Sequence, residues 1–125
     1  MTQPILHQIH PVLPVQNVVE TLSFYVNSLG FSIVFADDSK QPHYAGIRKD
    51  HIEIHLQQHD VKEWEHTVHQ PMLRIVTENI ELLFKELQQK NVFHENTKLR
   101  ETVWGTREFT FFDNNQNGLT FYQNL

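Results

Sequence analysis

Cysteine is absent from this 125-residue chain, which excludes disulfides, thiolate zinc sites and cysteine nucleophiles together. Any metal would have to be held by imidazole or carboxylate. Glycine is scarce: Gly30, Gly46, Gly105 and Gly118 stand far apart, so no glycine-rich loop can cradle a phosphate. The serines, Ser23, Ser28, Ser32 and Ser39, lie in no nucleophile-elbow sequence, and no carboxylate pair is visible, which disfavours an ordinary hydrolase. No apolar run approaches the roughly 20 residues that cross a bilayer, and Met1-Thr2-Gln3-Pro4 is not a basic segment followed by an apolar one. A soluble cytoplasmic protein is expected. Excess positive charge is also missing. With histidine neutral the net charge is −5, no footprint for nucleic acid, and a neutral or cationic small ligand suits this balance better.

What is present suffices for one core, with 39% hydrophobic and 11% aromatic residues. Ile9 to Val15 alternates as a strand, and Pro11 and Pro14 confine it to an edge or an interface. Asn17 with Glu20 three residues on is a capping-box variant, followed at helical spacing by Val18, Leu22, Tyr25 and Leu29, with Gly30 as C-cap. Phe31 to Phe35 reads as a strand, Asp37 to Pro42 as a loop, and Tyr44 to Arg48 with His51 to Gln57 as a hairpin around Lys49-Asp50. His59 to His69 is polar and charged, a connector. Met72 to Val76 alternates again. Thr77 or Asn79 can cap a helix whose stripe is Ile80, Leu83, Phe84 and Leu87, ending near Asn91. Strands are expected over Thr97 to Val103, Thr106 to Asp113 and Gly118 to Gln123, with a turn at Asn114 to Asn117.

The order strand, helix, three strands thus occurs twice, with Val12, Val15, Leu22 and Gly30 matching Leu73, Val76, Leu83 and Asn91 at an offset of about 61. The expected fold class is α+β, one domain over 1–125 made of two βαβββ modules, about 6–58 and 71–125, joined by a connector at 59–70.

Three stretches carry a family resemblance: Pro11 to Val18 continuing through Phe24-Tyr25 to Leu29-Gly30-Phe31; Tyr44-Ala45-Gly46-Ile47-Arg48 leading into Ile52 to Leu56; and Trp104-Gly105-Thr106-Arg107-Glu108-Phe109, followed by Asp113 and Asn117-Gly118. Together they resemble the bleomycin-resistance branch of the glyoxalase, or vicinal oxygen chelate, superfamily. The third is the discriminating one. That branch typically has a Trp-Gly-x-Arg-Glu-Phe run and an Asp-Pro-x-Gly-Asn turn; here Asn114 stands where proline is usual and Asn117-Gly118 reads in swapped order. The resemblance implies cup-shaped mixed sheets with helices outside and ligands within, and a homodimer that completes each cleft.

Metal-dependent members use four inward positions, which carry over to His10, Glu53, Met72 and Thr120. Met72 is a soft thioether and Thr120 a poor ligand, so the set is incomplete, and no metal or other cofactor is expected. His51, His55 and His59 are spaced four apart on a strand, spreading by about 13 Å, too far to share one ion.

The resemblance instead implies a binding cleft in which aromatics stack on a planar drug and acids meet its cationic tail, without chemical change to the ligand. The expected contacts are Trp104, Phe35, Asp37, Tyr44, His55, Trp64 and Glu108. Each has a plainer reading. Phe35 can be core, Trp64 can cover a second subunit, and Arg107 and Glu108 face opposite sides of a strand, so one of them can be buried against a partner. Arg74 points into the same cup, where it opposes a cationic ligand unless Glu53 pairs with it. The alternatives are a metal-dependent lyase, dioxygenase or thiol transferase of the same fold, or a binder of an unrelated metabolite.

Overall fold

The computed structural model describes residues 2–66 and 68–125. Two four-stranded mixed sheets form, one from each half. In the first, β1 (Val12–Val15), β2 (Ser32–Ala36), β3 (Tyr44–Lys49) and β4 (Ile52–Gln58) take the order β1-β4-β3-β2. The second repeats this as β5-β8-β7-β6, from β5 (Met72–Val76), β6 (Arg100–Glu101), β7 (Thr106–Phe112) and β8 (Gly118–Asn124). In each, the first strand runs parallel to the last and the other pairs are antiparallel. The two prolines of the first strand are tolerated because β1 is the edge of its sheet, with β4 as its only neighbour among the described residues.

One face of each sheet is covered by its helix. In the first half α1 (Val18–Ser23) continues into a π-helical turn over Phe24–Ser28. It buries Val18, Thr21 and Tyr25 against Leu13, Val15, Ile47, Ile54 and Leu56. In the second, α3 (Ile80–Gln88) buries Ile80 and Leu87, and Phe84 meets Phe93 and Phe109 in an aromatic cluster. Strand alternation turns Glu53, His55, Thr120 and Tyr122 to the opposite, open faces.

Several expectations are corrected. The strand expected from Ile9 begins at Val12, the one expected over Thr97 to Val103 shrinks to Arg100–Glu101, and the connector contains a short helix, α2 (Val61–His66). The cap of α3 is not a local side chain. Asn79 sits at the cap position with left-handed backbone and makes no capping bond, while the Gln123 side chain accepts from the Ile80 N–H at 3.0 Å.

The offset of 61 is also wrong along most of the repeat. Leu13 and Val15 face the core of the first sheet, Leu73 and Ile75 that of the second, and an odd offset on a strand exchanges its faces. The caps Asn17 and Asn79 differ by 62, whereas the left-handed ends Gly30 and Asn91 differ by 61. The first helix is therefore one residue longer, and the π turn is where that residue is absorbed.

The halves are joined by a buried polar hub. Asp113 accepts from the Tyr25 hydroxyl at 2.7 Å and from the Asn115 and Asn117 N–H groups at 2.7 and 3.0 Å. Asn117 Nδ2 donates to the Pro14 carbonyl at 2.9 Å, and Asn115 Oδ1 accepts from the Gln16 N–H at 2.9 Å. The order of this turn is not swapped after all. Gln116 occupies the left-handed position, at φ 67, and Asn117 follows it as the buried asparagine.

Candidate functional site

On the open face of the first sheet the aromatic and titratable groups converge. Gly46 lies between Phe35 on β2 and His55 on β4, and having no side chain it lets the Phe35 ring lie across it; a Cβ there would stand 2.3 Å from Phe35 Cε2. Phe35 is 40% exposed, stacks at 6.1 Å on Tyr44 and meets the His55 ring edge-on at 5.1 Å.

His55 is held at both nitrogens, Nδ1 by the Tyr44 hydroxyl at 2.9 Å and Nε2 by Glu53 Oε2 at 2.8 Å. His10, beside β4 just ahead of β1, stacks on His55 at 4.6 Å and brings its Nε2 to 3.6 Å from Glu53 Oε2. Arg48 donates to the other oxygen of Glu53 at 2.8 Å. The hydrogen bonds from His55 and Arg48 hold the Glu53 carboxyl below its ordinary pKa. A groove of about 510 Å³ runs past this cluster, lined by His10, Arg48 and Glu53 on one side and Arg74 on the other.

The second sheet is differently charged. Glu108 is 3% exposed, accepts from Arg74 at 3.1 Å and from the Thr106 hydroxyl at 2.8 Å, and lies 3.5 Å from Arg100. Burial pushes its pKa up, but the hydrogen bonds from Arg74 and Thr106 with the two guanidinium charges outweigh this and leave it lowered. Arg107, on the outward face, pairs with Glu81 and Glu101. Glu108, and not the expected Glu53, is thus the partner that holds Arg74; it also faces Arg100, Glu53 being engaged by Arg48, and Arg74 lies 4.4 Å over the Tyr122 ring. Trp104, at the β6–β7 turn, is 59% exposed, with Arg100 5.8 Å from its ring. Met72 lies over Gly118 as Phe35 does over Gly46, and its sulfur accepts from the Thr120 hydroxyl at 3.2 Å.

The expected contact residues therefore fall into groups. Phe35, Tyr44 and His55 form one cluster, and Trp104 and Glu108 belong to the second sheet, with Arg100 near both. Asp37 organises its own loop, accepting from the His43 and Tyr44 N–H groups at 2.8 and 3.2 Å, and the His43 bond first of all lowers its pKa. Trp64 is half-buried on α2. Sequence reasoning missed Arg48 and Arg100 as neighbours of the cleft, and missed the meeting of His10 with His55. Strand alternation alone places Glu53 and His55 on one face; their proximity to His10 needs the parallel register, in which Val12 stands beside His55.

Comparisons with known proteins agree with this architecture. Bleomycin resistance proteins of Geobacillus stearothermophilus and Staphylococcus aureus are each 25% identical to the chain over 129 residues, covering 92% of it and 95% of the relative. Among solved structures, a bleomycin resistance determinant encoded on the transposon Tn5 superposes with a TM-score of 0.77 at 17% identity, covering 95% of this chain and 98% of that one. The bleomycin-binding protein of Streptomyces verticillus, complexed with copper(II)-bleomycin, gives 0.74 at 23% identity, covering 95% and 97%. The sequence model of the Glyoxalase/Bleomycin resistance protein/Dioxygenase superfamily matches residues 7–121, and the chain belongs to that superfamily.

Proposed function

We propose that this chain is a cytoplasmic binding protein that sequesters a planar, cationic, bleomycin-like antibiotic without altering it, and that it works as a homodimer. The observation that carries the reading is the pair of exposed aromatic platforms, Phe35 backed by Tyr44 on the first sheet and Trp104 at the β6–β7 turn. Flat π-faces of this kind suit a flat heteroaromatic ligand. The relatives named as bleomycin resistance proteins support the same ligand class. Glu108 removes one objection to a cationic ligand, because it pairs with Arg74 and offsets the charge in that cup. Support for the dimer comes from the extended segment before β1, where Leu6 and Ile9 are 99% and 93% exposed beside an edge strand, a surface that a second copy can cover.

Calorimetric titration with bleomycin, together with light scattering, tests the reading. Saturable binding by a particle of twice 14.9 kDa, with the drug recovered at unchanged mass, is the expected result. No saturation up to millimolar drug sinks the ligand, and a monomer at micromolar concentration sinks the dimer.

A further inference from the structure

The four superfamily metal positions do not form a metal site in this chain, because Met72 and Thr120 satisfy one another and neither suits a hard divalent ion. The other two positions, His10 and Glu53, instead meet His55, which is not one of the four, on the open face of the first sheet. We infer that His10, Glu53 and His55, all from the first module, bind one divalent transition-metal ion of the zinc class through His10 Nε2, Glu53 Oε2 and His55 Nε2, with Tyr44 fixing the His55 ring. This site does not rest on the drug-binding reading, and it assigns no reaction.

Three observations carry it. First, these residues are the only group of three histidine, aspartate or glutamate side chains among those described whose ligand atoms all lie within 4.8 Å of one another. An ion about 2.0–2.1 Å from each ligand in tetrahedral geometry sets those atoms about 3.3 Å apart. The Glu53 distances, 2.8 Å to His55 and 3.6 Å to His10, straddle that spacing.

Second, the groups that hold the ligands leave the metal side open. The Tyr44 hydroxyl contacts Nδ1 of His55 and leaves Nε2 for the ion, the arrangement in which an outer partner sets the tautomer of a metal-bound imidazole. Arg48 holds Oε1 of Glu53 and leaves Oε2. On His10, Nε2 must exchange its 2.9 Å contact with the Gln8 side chain.

Third, the donor chemistry is specific. Two imidazoles and a carboxylate suit zinc, nickel, cobalt or iron(II) better than calcium or magnesium, which take oxygen ligands. Two of the three ligands, His10 and Glu53, line the groove of about 510 Å³, which gives an ion a way in.

The test uses the full chain without a histidine tag, stripped with chelator and titrated with Zn²⁺ alone at pH 7.5, with Co²⁺ absorption as a second readout. One ion per chain is expected, with a raised thermal midpoint. His55→Ala and Glu53→Gln should each weaken binding at least about 100-fold. Tyr44→Phe, which keeps the ring and loses only the hydroxyl, should weaken it about 10-fold. Circular dichroism of each variant shows that the fold is kept, and His66→Ala on the exposed end of α2 should change nothing. No binding up to 1 mM Zn²⁺, or binding that survives both His55→Ala and Glu53→Gln, overturns the site. Because bleomycin is absent from these titrations, their outcome is independent of drug binding.

Discussion

The Tyr25 hydroxyl donates to the Asp113 carboxylate at 2.7 Å, joining the helix of the first half to the last turn of the second, and both residues are buried. Burial, with the neighbouring Asp113 charge, raises the Tyr25 pKa, so the phenol stays protonated and remains a donor throughout the physiological range. Tyr25→Phe removes the donor while keeping the ring that packs edge-on against Phe31. Asp113 keeps the Asn115 and Asn117 bonds, so the loss should be about 1–2 kcal/mol. Urea denaturation should show a lower midpoint with an unchanged slope; a midpoint equal to that of the natural chain would mean that the hub does not tie the halves together.

Gln116 should be replaceable to advantage. Its φ of 67 lies in the left-handed region, which glycine enters at no steric cost, and the related turn pattern has glycine before asparagine. Gln116→Gly relieves that strain but loosens the unfolded chain, leaving a net gain of roughly 0.5–1 kcal/mol. For a domain of this size the thermal midpoint should rise by about 2–5 °C. A fall would show that the Gln116 side chain contributes more than its backbone costs.

The repeat, the helix stripes and most strands were legible because each rests on a local signal. Asn17 capping Glu20 and the alternation of Met72 to Val76 are examples. Whatever depended on residues far apart in sequence was not legible. Gln123 supplies the α3 cap across 43 positions, and it displaces the local Asn79 that propensity favours. The offset error arose because one residue in the first helix is taken up by a π turn, which leaves no mark in the hydrophobic pattern. Alternation places Glu108 in the cup as an expected ligand contact, and only the positions of Arg74, Arg100 and Thr106 reveal that its carboxylate is already engaged.

Glu108 should also govern acid sensitivity. Its folded-state pKa is lowered, so its contribution to stability is fully present above the unfolded value near 4.3 and is lost as pH falls through the folded value. Glu108→Gln keeps the shape but loses the charge opposite Arg74 and Arg100. Both arginines are about half exposed, so solvent screening limits the cost at pH 7 to about 1–2 kcal/mol. Thermal midpoints should therefore differ at pH 7 and converge toward pH 3. A gap that stays constant across this range would mean that the carboxylate charge plays no part.

Trp104 offers the sharpest test of the cleft. Its indole is 59% exposed, and Arg100 lies 5.8 Å from the ring, so a cation already stands where a cationic drug would approach. One stacking contact is worth about 1–3 kcal/mol, so Trp104→Ala should weaken bleomycin binding roughly 5- to 150-fold, and Trp104→Phe should cost less because it keeps an aromatic face. Arg100→Gln removes the competing cation and should strengthen binding of a cationic drug, most at low salt, where charges are least screened. Gly46→Ala provides the matching test on the first sheet. The new methyl group must push the Phe35 ring aside, so binding should fall while the thermal midpoint changes little, since the displaced ring is partly exposed. Fluorescence titration reports these changes, with Trp64 as a background emitter common to all the variants. If Trp104→Ala and Gly46→Ala both bind bleomycin as the natural chain does, neither aromatic platform touches the drug.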